Sequence, residues 1–179
     1  MAIERFLRAW SGQAVRHIPA GAPYEVLDFR FAGQSTTNRW NHPGQPTLYL
    51  ASDRAVALAE FARHIREERS LDLLSGVVER SVYRLDVTVE VVLDLRDDRL
   101  IRELSLQGAP ACFLDRSIAR AVADFLRRTT AAHALLVPSV AFLDDPERWI
   151  LVLFLEKLPA DHGQFIRALR SEGTFRLEG

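Results

Sequence analysis

The stretch from Asn38 to Glu60 concentrates the residues that could do chemistry. Arg39 lies in a loop bounded by turn formers, Asn38-Arg39-Trp40-Asn41-His42-Pro43-Gly44. Ten residues on, Tyr49 sits in the apolar run Thr47 to Ala51, and eleven further on Glu60 lies among Ala57, Leu58, Ala59, Phe61 and Ala62. A strand followed by a helix folds back on itself, so Tyr49 and Glu60 are expected to face one cleft, with Arg39 at its mouth. Far along the chain, Val137-Pro138-Ser139 is expected to end a buried strand with an exposed hydroxyl. Singly, each residue has a plain structural use. Loop arginines and helical glutamates are usually solvated, strand tyrosines pack, and serine after proline starts a turn. Glu60, in apolar surroundings, is the most suggestive of the four.

Other chemistries lack their sequence marks. There is no GxGxxG, Walker loop, GxSxG elbow or HExxH. The five histidines, His17, His42, His64, His133 and His162, are never spaced at i+3 or i+4, so nothing favours a metal site. His133, in an apolar stretch, reads as a satisfied core histidine. Cys112 is the only cysteine, which excludes an intramolecular disulfide and any CxxC pair and fits a reducing compartment. The 23 basic and 24 acidic residues leave a net charge of −1, against a general nucleic-acid binder. Lys157 is the only lysine, so nearly all positive charge is arginine.

These residues need elements to position them. At 179 residues and 48% apolar, the chain reads as a single domain with a real core. Ile3, Phe6, Leu7 and Trp10 have helical spacing. Residues 11–23 hold Gly12, Pro19, Gly21 and Pro23 and read as irregular, Tyr24 to Phe31 as a strand, and Gly33 to Thr47 as a loop. Thr47 to Ala51 reads as a strand. Ser52 or Asp53 then caps a helix to about Arg69, with Val56, Leu58 or Ala59, Ala62 and Ile65 as its apolar face. Arg80 to Leu95 alternates apolar and polar residues as a half-buried strand does. Asp97 to Leu106 reads as helical, and Asp115 caps a second long helix with Ile118, Ala121, Val122, Phe125 and Leu126 on one face. His133 to Val137 and Trp149 to Leu155 read as buried strands, and Gln164 to Leu177 as a last helix and a short strand. The mixture lacks strict βαβ alternation, so the fold class is α+β, with a central mixed or antiparallel sheet and flanking helices. Met1 to Trp10 carries Glu4, Arg5 and Arg8 and has no signal-peptide form. The longest apolar run, Trp149 to Leu155, is far short of the roughly 20 residues of a membrane helix. A cytoplasmic protein without membrane contact is expected.

Taken together, Asn38-Arg39-Trp40-Asn41, Pro43-Gly44, Leu48-Tyr49-Leu50-Ala51 and Ala57-Leu58-Ala59-Glu60 resemble the RES domain, named for an arginine, a glutamate and a serine. These match Arg39, Glu60 and Ser139. The segments Ile118 to Arg128 and Ala134 to Val137 also look like the family's approach to its serine. The likeness spans about residues 28–156, with the two ends as extensions packed on that core.

The resemblance implies a fold similar to ADP-ribosyltransferase toxins and an activity that destroys NAD+, with water, phosphate or a protein side chain as acceptor. NAD+ is then a substrate, phosphate a possible co-substrate, and no metal or resident cofactor is implied. It also implies a partner, an Xre-type helix-turn-helix antitoxin occluding the active site, and a homodimer or a hetero-oligomer with that antitoxin. Direct nucleic-acid binding is not expected. Cleaving the nicotinamide–ribose bond develops positive charge on the ribose. The roles that follow are Glu60 stabilising that charge and orienting the nucleophile, and Arg39 binding the pyrophosphate. Tyr49 offers nicotinamide a ring face and the ribose a hydroxyl, Ser139 bonds the ribose or amide, and Trp40 and Asn41 line the binding site. A mono-ADP-ribosyltransferase shares this site, and a catalytically silent interaction module is the reading from another class.

Overall fold

The computed structural model describes residues 2–68 and 78–177. In chain order these form β1 (Arg8–Pro19), β2 (Thr47–Ala51), α1 (Arg54–Glu68), β3 (Val78–Asp94), α2 (Asp98–Glu103), α3 (Arg116–Thr129), β4 (Ala134–Pro138), β5 (Trp149–Phe154) and β6 (Ile166–Leu177). Short 3-10 turns lie at Ala2–Phe6, Ala111–Leu114, Leu155–Lys157 and His162–Gln164. The sheet is mixed and its order is β1-β2-β5-β4-β3-β6, with an added pairing of β1 to β3. The α+β class with a mixed sheet is therefore the architecture.

β3 organises this sheet. One edge pairs antiparallel with β1 from Arg8↔Val92 to Pro19↔Arg80. The other pairs antiparallel with β6 and, at Val92–Asp94, parallel with β4. β2 and β4 flank β5, both antiparallel. β1 meets β2 at a single pair, Val15↔Ala51, which closes the pairings into a ring.

Both faces of the sheet are packed, and alternate residues go to opposite cores, as the strand's period of two requires. On β4, Leu135 and Val137 join the cluster that includes α1 and α3, whereas Ala134 and Leu136 join the other. In β3, Leu85, Val87 and Val89 share the second cluster. The register then shifts between Arg8 and Trp10 of β1, so Val92 takes that face instead of Val91.

The structure corrects several sequence expectations. Residues 11–19 are not irregular but belong to β1, and Trp10 lies in that strand, so only Ala2–Phe6 is helical, as a 3-10 turn. Tyr24 to Phe31 forms turns, not a strand. Residues 166–177 are one long strand, with no helix. β1 begins well before residue 28 and β6 lies beyond 156, so both expected extensions are strands of the central sheet. His133 is half-buried. The expected strands over Thr47–Ala51 and 80–95 match β2 and β3, and α1 follows as expected, while Arg69 lies outside the described residues.

In α3 the cap is Asp115, whose side chain accepts from the Ser117 amide, as expected. Its buried face differs: Ala119, Ala123, Leu126 and Arg127 are buried, while Ile118, Ala121 and Phe125 are exposed. Arg127 is the cause. Its guanidinium lies over the Phe154 ring at 4.2 Å and donates to Pro46 O and Thr47 Oγ1 at 3.0 and 2.8 Å. A cation thus occupies a core position and ties α3 to the start of β2.

Candidate active site

α1 carries the carboxylate. Its start is set by Asp53, whose Oδ1 accepts from the Val56 amide at 3.0 Å, as an N-cap does. Two turns on, Glu60 points at the segment after β4. Its Oε1 accepts from the Ser139 hydroxyl and from the Ala141 amide, the latter at 3.1 Å. Arg63, one turn further, donates to Val140 O at 3.1 Å. Glu60 and Arg63, side by side on one helix face, therefore hold residues 139–141 by opposite polarities. No described residue bonds the other Glu60 oxygen, Oε2.

Ser139 is fully buried, which corrects the expected exposed hydroxyl. Its oxygen faces α1 rather than solvent, because Val140 and Ala141 bring the chain back against that helix. In this structure Ser139 positions Glu60.

The Arg39 loop is fastened from several sides. Arg39 Nη1 donates to Phe113 O and Leu114 O at 2.9 and 2.8 Å. Arg120 of α3 donates to Asn38 O at 2.8 Å from Nε and to Thr36 O from Nη2. Trp40 is buried, its ring centroid 4.9 Å from that of Phe113. Asn41 is buried too; its amide donates to Gly33 O and His42 O and accepts from the Tyr49 hydroxyl at 2.7 Å. That hydroxyl also accepts from the Trp40 amide at 3.0 Å. Burial pushes the Tyr49 phenol well above its ordinary pKa, so it stays a neutral donor. Gly33 closes the loop at φ 81°, where a Cβ would stand 1.9 Å from Gln45 O.

Arg39, Trp40, Tyr49 and Glu60 line one cleft of about 330 Å³, at the lower end of the roughly 300–1,000 Å³ usual for ligand sites. The expected convergence of Tyr49, Glu60 and Arg39 is thus seen, with Ser139 behind Glu60. Asn41 is not on the cleft wall; it is spent on the loop and on Tyr49. Tyr49 lines the cleft, and its hydroxyl pins Trp40 and Asn41.

Other lining residues escaped sequence reasoning: Arg16 and His17 of β1, and Arg63 and His64 of α1. Burial lowers the Arg16 pKa to about 10, so it remains a cation at neutral pH. It donates to Val26 O and packs over Phe29, 4.8 Å to the centroid. Glu60 is the only carboxylate among the residues lining the cleft, against three arginines. Such a field attracts an anionic ligand and presents one negative group inside it.

The chain matches the RES domain over residues 14–177 and belongs to that family. Its fold is similar to that of a chain in the crystal structure of the M. tuberculosis MbcT–MbcA toxin–antitoxin complex. The TM-score is 0.62 at 20% identity, covering 96% of this chain and 86% of that chain. A comparison with curated proteins finds no match. Among the described residues no helix is long and apolar enough to cross a membrane.

Proposed function

We propose that this RES protein is the toxin of a toxin–antitoxin pair and that it cleaves the nicotinamide–ribose bond of NAD+, passing the ADP-ribosyl group to water or phosphate. The observation that carries this reading is the Glu60 carboxylate, anchored through Oε1 by Ser139 and Ala141, in a cleft where it is the one lining carboxylate beside Arg16, Arg39 and Arg63. The RES family membership and the likeness to a toxin–antitoxin structure support it.

The chemistry follows from charge. As the C1′–N bond lengthens, its electron pair goes to the pyridinium, which leaves as neutral nicotinamide and needs no general acid. Positive charge builds on the ribose, and Glu60 stabilises it electrostatically. Its Oε2, away from the Ser139 anchor, orients the attacking water and takes its proton. Arg39, with Arg16 and Arg63, binds the pyrophosphate, and the Tyr49 ring stacks on nicotinamide. Ser139 acts here by holding the carboxylate. Uncontrolled loss of NAD+ arrests growth, so a partner must restrain it, and the RES membership implies an Xre-type antitoxin that covers the cleft.

The test is to incubate antitoxin-free protein with NAD+, with and without phosphate, beside Glu60→Gln, and to separate the products. The expected result is nicotinamide release that falls by about 10³-fold or more in the variant, the scale of losing both a charge stabiliser and a base. ADP-ribose then marks hydrolysis, and a phosphorylated ADP-ribose marks phosphorolysis. Intact NAD+ with folded wild-type protein overturns the reading.

A further inference from the structure

Behind the cleft wall, β3 and α1 place a further arginine and an aromatic ring against a histidine. Arg80 stands opposite Pro19 in the β1–β3 pairing, with His17 opposite Val82. The two are diagonal neighbours within reach of a long side chain. Arg80 Nε donates to His17 Nδ1 at 2.9 Å. Its guanidinium lies over the Phe61 ring at 4.2 Å, and the imidazole meets the same ring at 4.9 Å. Phe61 is the residue after Glu60, so this stack and the carboxylate share one turn of α1.

An imidazole nitrogen that accepts a hydrogen bond carries no proton, so the proton of neutral His17 is on Nε2. His17 lines the cleft, and among the described residues its hydrogen bond is the one at Nδ1, with Nε2 taken by none of them. The charged and titratable groups facing it are Arg80 from β3, Arg16 beside it on β1 and His64 from α1. Burial first, and then these groups, oppose the imidazolium and bring the pKa down to about 3. The ring is therefore neutral throughout the working pH range.

We infer that His17 is a neutral Nε2–H donor to the substrate, reading an uncharged oxygen such as a ribose hydroxyl or the carboxamide carbonyl, and that Arg80 is the positioning residue that fixes this tautomer. This rests on the NAD+ reading above. Neutrality matters for the chemistry: a cation at this place would oppose the positive charge that grows on the ribose. Three arginines already face the cleft for the phosphates, so an uncharged donor adds discrimination toward neutral groups.

The first readout needs no turnover. Protein with 15N-labelled histidine, its His17 signals assigned through His17→Gln, is followed by long-range 1H–15N correlation from pH 8 to 5. His17 should show a bare Nδ1 and a protonated Nε2, unchanged across the range. Adding NAD+ to Glu60→Gln protein should move the Nε2 signals. In Arg80→Met the stem remains but the donor is lost. Its His17 should populate both tautomers, because nothing then holds Nδ1 as the acceptor, and its kcat/KM for NAD+ should fall, with Arg80→Lys in between. A proton on Nδ1, wild-type titration between pH 5 and 8, unmoved Nε2 signals, or an Arg80→Met protein that keeps the wild-type tautomer would each overturn the inference. If Arg80→Met does not fold, the wild-type and Glu60→Gln spectra decide it. Wild-type protein that releases no nicotinamide at any pH, yet shows the stated tautomer and NAD+ shifts, counts against the hydrolytic reading and leaves this donor standing.

Discussion

Ser139 and Glu60 are 79 positions apart in the chain, and their hydrogen bond is what sets the carboxylate's direction. Removing the hydroxyl in Ser139→Ala leaves Oε1 with the Ala141 amide alone. Turnover should fall about ten- to a hundredfold while KM for NAD+ moves less than about twofold, since the loss acts on the transition state rather than on binding. Thermal unfolding should report a cost of about 1 kcal/mol for the lost hydrogen bond. At this scale much was legible. Arg39, Tyr49 and Glu60 carry distinctive neighbours at fixed spacing, and all three face the cleft. The inward turn of Ser139 was not legible, because it depends on residues 139–141 docking against a helix far away in sequence. Asn41 was misplaced for a related reason: its partners, Gly33 and Tyr49, are set by how the loop closes. Arg16 and His17 were missed because they lie on a strand that itself went unread.

α1 is the element that aims Glu60, and its first turn depends on Asp53. Asp53→Ala removes the cap from the Val56 amide, and the ion pair to Arg148 at 2.9 Å goes with it. That pair is partly exposed and adds little, so the cost should be about 1 kcal/mol, seen as a fall in Tm of about 2–4 °C for a chain of this size. Helix starts of this kind are written locally, in one side chain and the run after it, which is why α1 and α3 were placed by their caps. The buried face of α3 was not. Ile118, Ala121 and Phe125 look like a core stripe, yet the helix is rotated so that Arg127 enters the core instead. A charged residue whose Nη2 donates to Pro46 O and Thr47 Oγ1, and which pairs with Glu156, defeats a hydrophobic count. β1 and β6 were lost in different ways. β1 buries adjacent residues, Ala14 and Val15, because both its faces pack, so no period of two shows. β6 is largely exposed and exists through its pairing with β3.

At the scale of the whole molecule, one titration couples folding to pH. His17 has a folded pKa of about 3 against an ordinary 6.5. Between these values the unfolded chain binds a proton that the folded chain does not. Stability is therefore full above about 6.5 and falls as pH drops toward 3, at about 1.4 kcal/mol per unit. Denaturant unfolding at pH 7, 6, 5 and 4 should show that slope, and His17→Gln should flatten it. The carboxylates of Asp28 and Asp97, held at about 2 chiefly by side-chain hydrogen bonds from Arg30 and Arg99, act only lower, as pH falls from about 4 toward 2. The ring of strand pairings has a further consequence. β1, β3 and β6 are joined along their lengths, as are β2, β5 and β4, yet β1 touches β2 at one residue pair. The cleft sits over that seam, with Val15 to His17 on one bank and Thr47 to Ala51 on the other. A molecule lying there works as a splint. Amide hydrogen exchange should slow on both banks together when NAD+ fills Glu60→Gln protein, while the β3–β6 amides keep their rates.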